Sequence, residues 1–179
     1  MKKLLLLLVI ITFAIASFYF LNRSTGESTT SGTVQPGSGS SPSTSPNDFA
    51  LESLEGKTVR LSDYDGKPVL VVFFATWCPP CRMEIPHLKK MHGDELVDIL
   101  AVDIREPSSK VERFVKDQDI PYTVLLDEEG QVSNRFSVSS IPTTLLINPD
   151  GSIYKRITGF DPSIESIVSS WVNGRKSEA

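Results

Sequence analysis

The chain has 179 residues, a formal net charge of −4 and 40% hydrophobic residues, enough for one folded domain with extensions. No basic stripe offsets the negative charge, which speaks against nucleic acid as a partner. With only two cysteines there is no disulfide framework, so stability has to come from a hydrophobic core of the size that about 130 residues can bury.

The N-terminal segment stands apart from that core. Met1-Lys2-Lys3 leads into an apolar run over residues 4–21, with roughly 18 residues free of charge, the lower end of what spans a bilayer as a helix. Lysines ahead of the run place the N-terminus in the cytoplasm and the remainder of the chain outside. Two fates are open. Ala14-Ile15-Ala16 has the small-x-small form of a signal-peptidase site, with secretion after cleavage near Ala16. Against this, Phe18-Tyr19-Phe20 continues the apolar run and suits an interfacial belt. The expectation is a retained single-pass anchor over residues 1–21. Residues 22–47 are almost all Ser, Thr, Gly and Pro, too polar to offset the entropy of ordering. They read as a disordered tether with a root-mean-square reach of roughly 28 Å. A folded domain over 48–174 and a flexible tail over 175–179 follow.

Within the domain, Phe49-Ala50-Leu51 and Thr58-Val59-Arg60-Leu61 flank the turn Glu55-Gly56 and read as a hairpin, followed by one helical turn at Ser62-Asp63-Tyr64. Residues 68–74 do not alternate and predict a central strand buried on both faces. A helix is predicted over 79–91, with Ile85, Leu88 and Met91 on one face and Pro86 kinking it. Residues 96–104 predict a second buried strand, after which Ser108 or Ser109 caps a helix through Val111, Phe114 and Val115. A strand over 122–126, ended by Asp127-Glu128-Glu129-Gly130, precedes a short helix over 132–136. Residues 143–147 and 153–158 pair about the Asn148-Pro149-Asp150-Gly151 turn. Asp161-Pro162 is expected to open a last helix as N-cap and N1, with Ile164, Ile167, Val168 and Trp171 facing inward. Such an alternation predicts an α/β sandwich, one central sheet flanked on both faces.

The chemistry is concentrated in Trp77-Cys78-Pro79-Pro80-Cys81, which holds both cysteines directly after the central strand. A C-x-x-C entering a helix is the arrangement for a reversible dithiol–disulfide cycle. Its two sulfurs lie one turn apart on one helix face, so Cys78 and Cys81 can bond to each other. Cys78 at the helix mouth faces free N–H groups and the positive end of the dipole, which makes it the nucleophile; Cys81 is the resolving thiol. Pro79 and Pro80 remove two N–H donors, leaving the amide of Cys81 and the dipole to stabilise the Cys78 thiolate, so its acidity is expected to be modest. Half of a zinc site is the competing reading, but zinc takes about four ligands and His87 and His92 are the only histidines. No metal or cofactor is therefore expected. Pro142 on its own reads as a turn proline before a strand, cis or trans. Glu84, on the helical face of Cys81, is either a solvated carboxylate or a functional one. His87 and His92 read as exposed helix residues, Arg82 as a surface charge near the site, and Glu106, Glu128 and Glu129 as solvated loop charges.

Together, the W-C-x-x-C after a buried strand and Ile141-Pro142-Thr143 some sixty residues later resemble the thioredoxin fold. More narrowly, Cys81-Arg82-Met83-Glu84-Ile85-Pro86, the leading hairpin, the Asn148-Pro149-Asp150-Gly151 turn and the N-terminal run resemble the TlpA/ResA-like membrane-anchored thiol–disulfide oxidoreductases. The resemblance spans about residues 48–171. It implies a thioredoxin-like α/β fold: a central mixed sheet flanked by helices, with an N-terminal β-hairpin extension. It implies a cis bond at Pro142 beside the cysteines, with the Ile141 backbone free to pair with a substrate peptide. Trp77, Pro79, Pro80 and Ile141 become the substrate-facing residues. Glu84 becomes the group that manages the Cys81 proton, the more so because Val72 stands where thioredoxin carries a buried aspartate.

The function these features imply is that of an extracytoplasmic, membrane-tethered enzyme that reduces disulfides in client proteins with cysteine pairs. Apocytochrome c, in cytochrome c maturation, is the best-known kind of client. A reductant in an oxidising compartment needs a transmembrane thiol electron donor. A disulfide-forming oxidant of the same fold and a redox-responsive binding module remain as alternatives. A peroxidase of the peroxiredoxin type would want a Thr three residues before its reactive cysteine, where Ala75 precedes Cys78.

Overall fold

A computed structural model describes residues 45–176, with side chains through residue 174. The expected anchor over 1–21, residues 22–44 of the expected tether and residues 177–179 lie outside the described residues. Among those described, no helix is long and apolar enough to cross a membrane.

The organising element is the strand β3, Val69–Phe74, all six of whose residues are buried. Its alternating side chains feed two separate cores. Leu70, Val72 and Phe74 join one cluster; Val69, Val71 and Phe73 join the other. That division is why the segment shows an unbroken apolar run and no polar alternation. β3 leads into helix α1, Pro79–Gly93, which returns to β4, Asp98–Ile104, parallel to β3. β4 then leads through α2, Ser108–Asp117, to β5, Thr123–Asp127, parallel to β4. Both crossovers step the same way along the sheet, so a common right hand lays α1 and α2 on the same face. The last helix, α4 (Ile164–Lys176), joins them there through Ile164, Val168 and Trp171. The opposite face is covered by Phe49, Leu61 and the short helix α3, Gln131–Arg135, with Val132 and Phe136 buried.

The remaining strands complete a mixed seven-stranded sheet. An N-terminal hairpin of β1 (Ala50–Ser53) and β2 (Thr58–Arg60) adds to β5 antiparallel, while β6 (Thr143–Ile147) and β7 (Ile153–Thr158) extend the other side. The strand order is β2-β1-β5-β4-β3-β6-β7. The fold is thioredoxin-like, as the motifs imply. α1 continues through Pro86 as one helix.

Two caps differ from expectation. The α2 N-cap is Pro107, which has no side-chain donor or acceptor to offer. The Ser108 N–H instead donates to Glu128 Oε1 at 2.9 Å, so a carboxylate from the β5–α3 loop caps the helix and Glu128 is not merely solvated. α4 begins at Ile164; Asp161 precedes it in an Asx turn, accepting from Ser163 N–H at 2.8 Å. Local composition marked these helix starts correctly to within a few residues but could not show which carboxylate reaches them.

Because Phe73 is fully buried and its ring lies 5.8 Å from that of Phe136, truncating it leaves a cavity beneath the central strand. Phe73→Ala is expected to destabilise the domain by about 3–5 kcal/mol. Urea unfolding should show a lowered midpoint with an unchanged slope; a loss under about 1 kcal/mol would mean that β3 does not anchor the core.

Candidate active site

The site is built where β3 ends. Beyond Phe74 the chain passes through buried Ala75 and Thr76 to Trp77, which is 64% exposed, and then to Cys78. Cys78 is the N-cap of α1, with φ −85° and ψ 110°, and Pro79 and Pro80 occupy the first helical positions. The fixed φ of proline suits those positions, and its missing N–H is no loss to the helix ladder there. Cys81 follows in the same turn. Its N–H donates to Cys78 Sγ at 3.2 Å, the backbone donor that the two prolines leave in place. Cys78 and Cys81 are bonded to each other, with Cα atoms 5.3 Å apart. Both are nearly inaccessible, at 2% and 3% exposure.

The sheet brings the second part of the site to the same place. β6 runs antiparallel to β3, with Phe73 opposite Thr143, so the residues before Thr143 meet the residues after Phe74. The Ile141–Pro142 peptide is cis. Cys78 Sγ lies 3.7 Å from the Ile141 carbonyl oxygen. Thr143 Oγ1 donates to Ser140 O at 2.7 Å and steadies that loop, while Pro142 O accepts from Gly159 N–H at 2.7 Å. Pro142 itself is buried and Ile141 half-buried. The exposed residues flanking the cysteines in the chain include the apolar Trp77, Pro79 and Met83, the last at 58% exposure, together with Arg82.

Glu84 faces inward. It is 1% exposed and shares a small cavity with Cys81, Val72, Phe74 and Tyr122. Thr144 Oγ1 donates to Glu84 Oε1 at 3.0 Å, and Oε2 has no hydrogen-bond partner. Burial pushes the carboxyl up to about 7, against the lowering pull of the Thr144 bond and His87. A carboxyl poised there can hold or release a proton near neutral pH beside Cys81. The same burial, with the Glu84 charge nearby, raises the Tyr122 hydroxyl, so that it stays protonated.

Several charges read as solvated are part of the site. Glu106 is 5% exposed and accepts from both Thr76 N–H at 2.5 Å and Thr76 Oγ1 at 2.9 Å. Burial acts to raise it, but Lys110 and the two Thr76 bonds outweigh that and hold it below the usual carboxylate range. Arg82 donates to the Thr76 carbonyl through Nε at 3.1 Å and Nη2 at 2.8 Å, and lies 5.4 Å over the Phe114 ring. His87 and His92 are half-buried rather than exposed. His87 Nδ1 meets Glu165 Oε1 at 2.7 Å, tying α1 to α4, and His92 packs edge-on against Tyr122. Glu129 is exposed. Among the described residues no group of three or more His, Cys, Asp or Glu side chains is placed to hold a metal ion.

Comparison with known proteins accords with this geometry. Residues 43–156 match the model of the AhpC/TSA family. The chain is 41% identical over 120 residues to the thiol-disulfide oxidoreductase ResA of Geobacillus thermodenitrificans, covering 65% of this chain and 68% of that one. It is 38% identical over 134 residues to ResA of Bacillus subtilis, covering 73% of each. A crystal structure from Chlorobium tepidum, of a candidate thiol:disulfide interchange protein DsbE, superposes with a TM-score of 0.63 at 28% identity, covering 71% of this chain and 92% of that one. The chain therefore belongs to the thioredoxin-like AhpC/TSA family and, within it, is a thiol–disulfide oxidoreductase of the ResA kind.

Proposed function

We propose that the protein is a membrane-tethered, extracytoplasmic reductase of client disulfides. The observation that carries the reading is the meeting of Cys78 Sγ with the backbone of Ile141, 3.7 Å away, next to the exposed Trp77 and Pro79 in the chain. In the reduced protein the Cys78 thiolate attacks a client disulfide. A bond forms between Cys78 Sγ and one client sulfur, and the other client sulfur leaves as a thiolate and takes up a proton. The client strand lies along Ile141 as a short β-addition, with Trp77, Pro79 and Pro80 covering it. Cys81 then loses its proton to Glu84 and attacks Cys78 Sγ. The second client sulfur departs as a thiolate and is protonated, leaving the enzyme with a Cys78–Cys81 disulfide, its dithiol having passed two electrons to the client. A transmembrane thiol donor restores the dithiol, and a tether of roughly 28 Å reach keeps the domain within range of it. Apocytochrome c, whose haem-site cysteines must be reduced before attachment, is the client class we favour. The apolar run after Lys2-Lys3 supports the tethered, extracytoplasmic placement.

Trapping tests the reading directly. Cys81→Ser leaves Cys78 able to form a mixed disulfide that nothing resolves, so the variant should accumulate covalent adducts with cysteine-containing clients, cytochrome precursors among them. Adducts formed by Cys78→Ser instead would reverse the two roles, and adducts with neither variant would remove the reductase assignment.

Glu84 makes two further expectations. Glu84→Gln should flatten the pH dependence of thiol–disulfide exchange between about pH 6 and 8, the window set by a carboxyl near 7; an unchanged profile would take the proton away from Glu84. It should also alter stability. In the unfolded chain Glu84 ionises near 4.5, and in the folded one near 7, so over that interval the folded state keeps a proton the unfolded state releases. Stability therefore falls as pH rises through the interval, by on the order of 3 kcal/mol. Urea unfolding of the oxidised protein at pH 4.5 and pH 8 should show a smaller fall in Glu84→Gln than in the unsubstituted chain. Equal falls would mean that Glu84 is not held protonated by the fold.

A further inference from the structure

A second buried carboxyl, on the same face of the sheet, takes no part in the cycle described above. β4 sends Ile99 and Ala101 into the core under α1, α2 and α4, and Asp103 continues that alternation. Ala101 lies opposite Val72, and Asp103 lies opposite Phe74, the last residue of β3. Asp103 thus sits beneath the stretch that carries the chain to Cys78. It is 1% exposed, and neither carboxyl oxygen has a partner at full hydrogen-bond geometry, although the Glu106 backbone N–H lies close enough to favour the charged form.

The side chain that faces Asp103 is Glu106, and the charged group beyond it is Lys110. On the flanking strands its register partners are the apolar Phe74 and Leu126, and α2 contributes Val111 and Phe114 to the core there. Two carboxylates cannot hydrogen-bond to each other; one must hold a proton and donate it. Burial, then the Glu106 charge, pushes Asp103 up to about 8. Lys110 Nζ at 2.5 Å and the two Thr76 bonds keep Glu106 charged. The proton accordingly resides on Asp103 and the charge on Glu106. That charge grips Thr76 from one side through N–H and Oγ1, while Arg82 grips the Thr76 carbonyl from the other.

We propose that Asp103 and Glu106 are a proton-sharing pair that positions the redox loop. Protonated Asp103 donates to Glu106, Glu106 holds Thr76, and Thr76 fixes the peptide leading to Cys78. When Asp103 loses its proton, two negative charges face each other in a buried site. Glu106 is then driven toward solvent along the half-exposed Lys110, and the Thr76 bonds are released. Neither residue touches the sulfurs, so both are positioning residues. The inference rests on the proposed cycle only in taking Cys78 as the reacting thiol.

The test follows the Thr76 backbone amide by NMR in the reduced, 15N-labelled full-length chain in detergent, from pH 5 to 9.5, alongside the alkylation rate of Cys78. The Thr76 resonance of the unsubstituted chain should titrate with a midpoint near 8. In Asp103→Asn, whose amide is a permanent donor to Glu106, it should hold its low-pH position throughout. Asp103→Ala should displace it at every pH, so that only the conservative variant rescues the loop. Glu84→Gln should retain the Thr76 titration. Glu106→Ala, which strips the charged acceptor from Thr76, should slow Cys78 alkylation at pH 7 by about tenfold. A Thr76 amide that does not titrate in the unsubstituted chain, which needs no variant to establish, overturns the proposal. So does a titration that Asp103→Asn leaves in place, or a Glu106→Ala alkylation rate equal to that of the unsubstituted chain. Trapping by Cys81→Ser reads the disulfide cycle and not this pair, so failure of one is distinguishable from failure of the other.

Discussion

The antiparallel pairing of β6 against β3 is the constraint on which the site depends. β3 runs out of the sheet at Phe74 toward Cys78, and β6 runs in at Thr143 from Pro142, with Phe73 and Thr143 opposite each other. The two segments have to meet because their strands share one end of the sheet. A register slip of one residue would exchange the two sets of β3 side chains between the cores. Since each face of β3 is buried against different partners, that exchange would disrupt both cores. The approach of Cys78 to the Ile141 carbonyl is therefore enforced by the packing of the whole domain.

Burial supplies the rest of the chemistry. The central strand offers only Val72 beside the cysteine helix, so no proton can be exchanged from that position. A buried carboxyl lies instead on α1 itself, as Glu84, which lines a small cavity with Cys81 and is anchored by Thr144 on β6. One strand thus supplies the Glu84 anchor and, through the loop before it, the surface beside Cys78. The loop between β3 and α1 is held separately, with Glu106 and Arg82 on opposite sides of Thr76. Thioredoxin-like proteins work by exchanging bonds at an exposed apolar patch, and the polar scaffold here keeps that patch, Trp77 and Pro79, in place without covering it.

The features legible in the sequence are those with local physical causes. The buried run of β3, the cysteine spacing, the proline pair at the helix mouth and the hairpin about Asn148-Pro149-Asp150-Gly151 each follow from patterns within a few residues. Glu84 was legible as a candidate because Cys81 and Glu84 share a helix face, although its burial required the packing of Tyr122 and Thr144 against it. Glu106 was not legible, being 30 residues from Thr76 in the chain and joined to it by the β3–β4 register alone. Asp103 was hidden for the same reason: within the run Asp98–Ile104 it looks like one polar residue near a strand end. Arg82 is an exposed charge near the site, as read; its two bonds to the Thr76 carbonyl were not legible because they go to a backbone acceptor, which leaves no trace in side-chain composition. The start of α4 was legible from Asp161, which accepts from the Ser163 N–H, whereas the capping of α2 by Glu128, 20 residues away in the chain, was not.

Electron transfer from the dithiol to a protein disulfide is the central claim, and insulin reduction measures it most directly. The full-length chain, reduced and freed of reductant, should reduce insulin disulfides and emerge with Cys78 and Cys81 oxidised, one pair per insulin bond broken. A reduced protein that leaves insulin intact, or one that instead forms disulfides in a reduced client when supplied oxidised, would contradict the account.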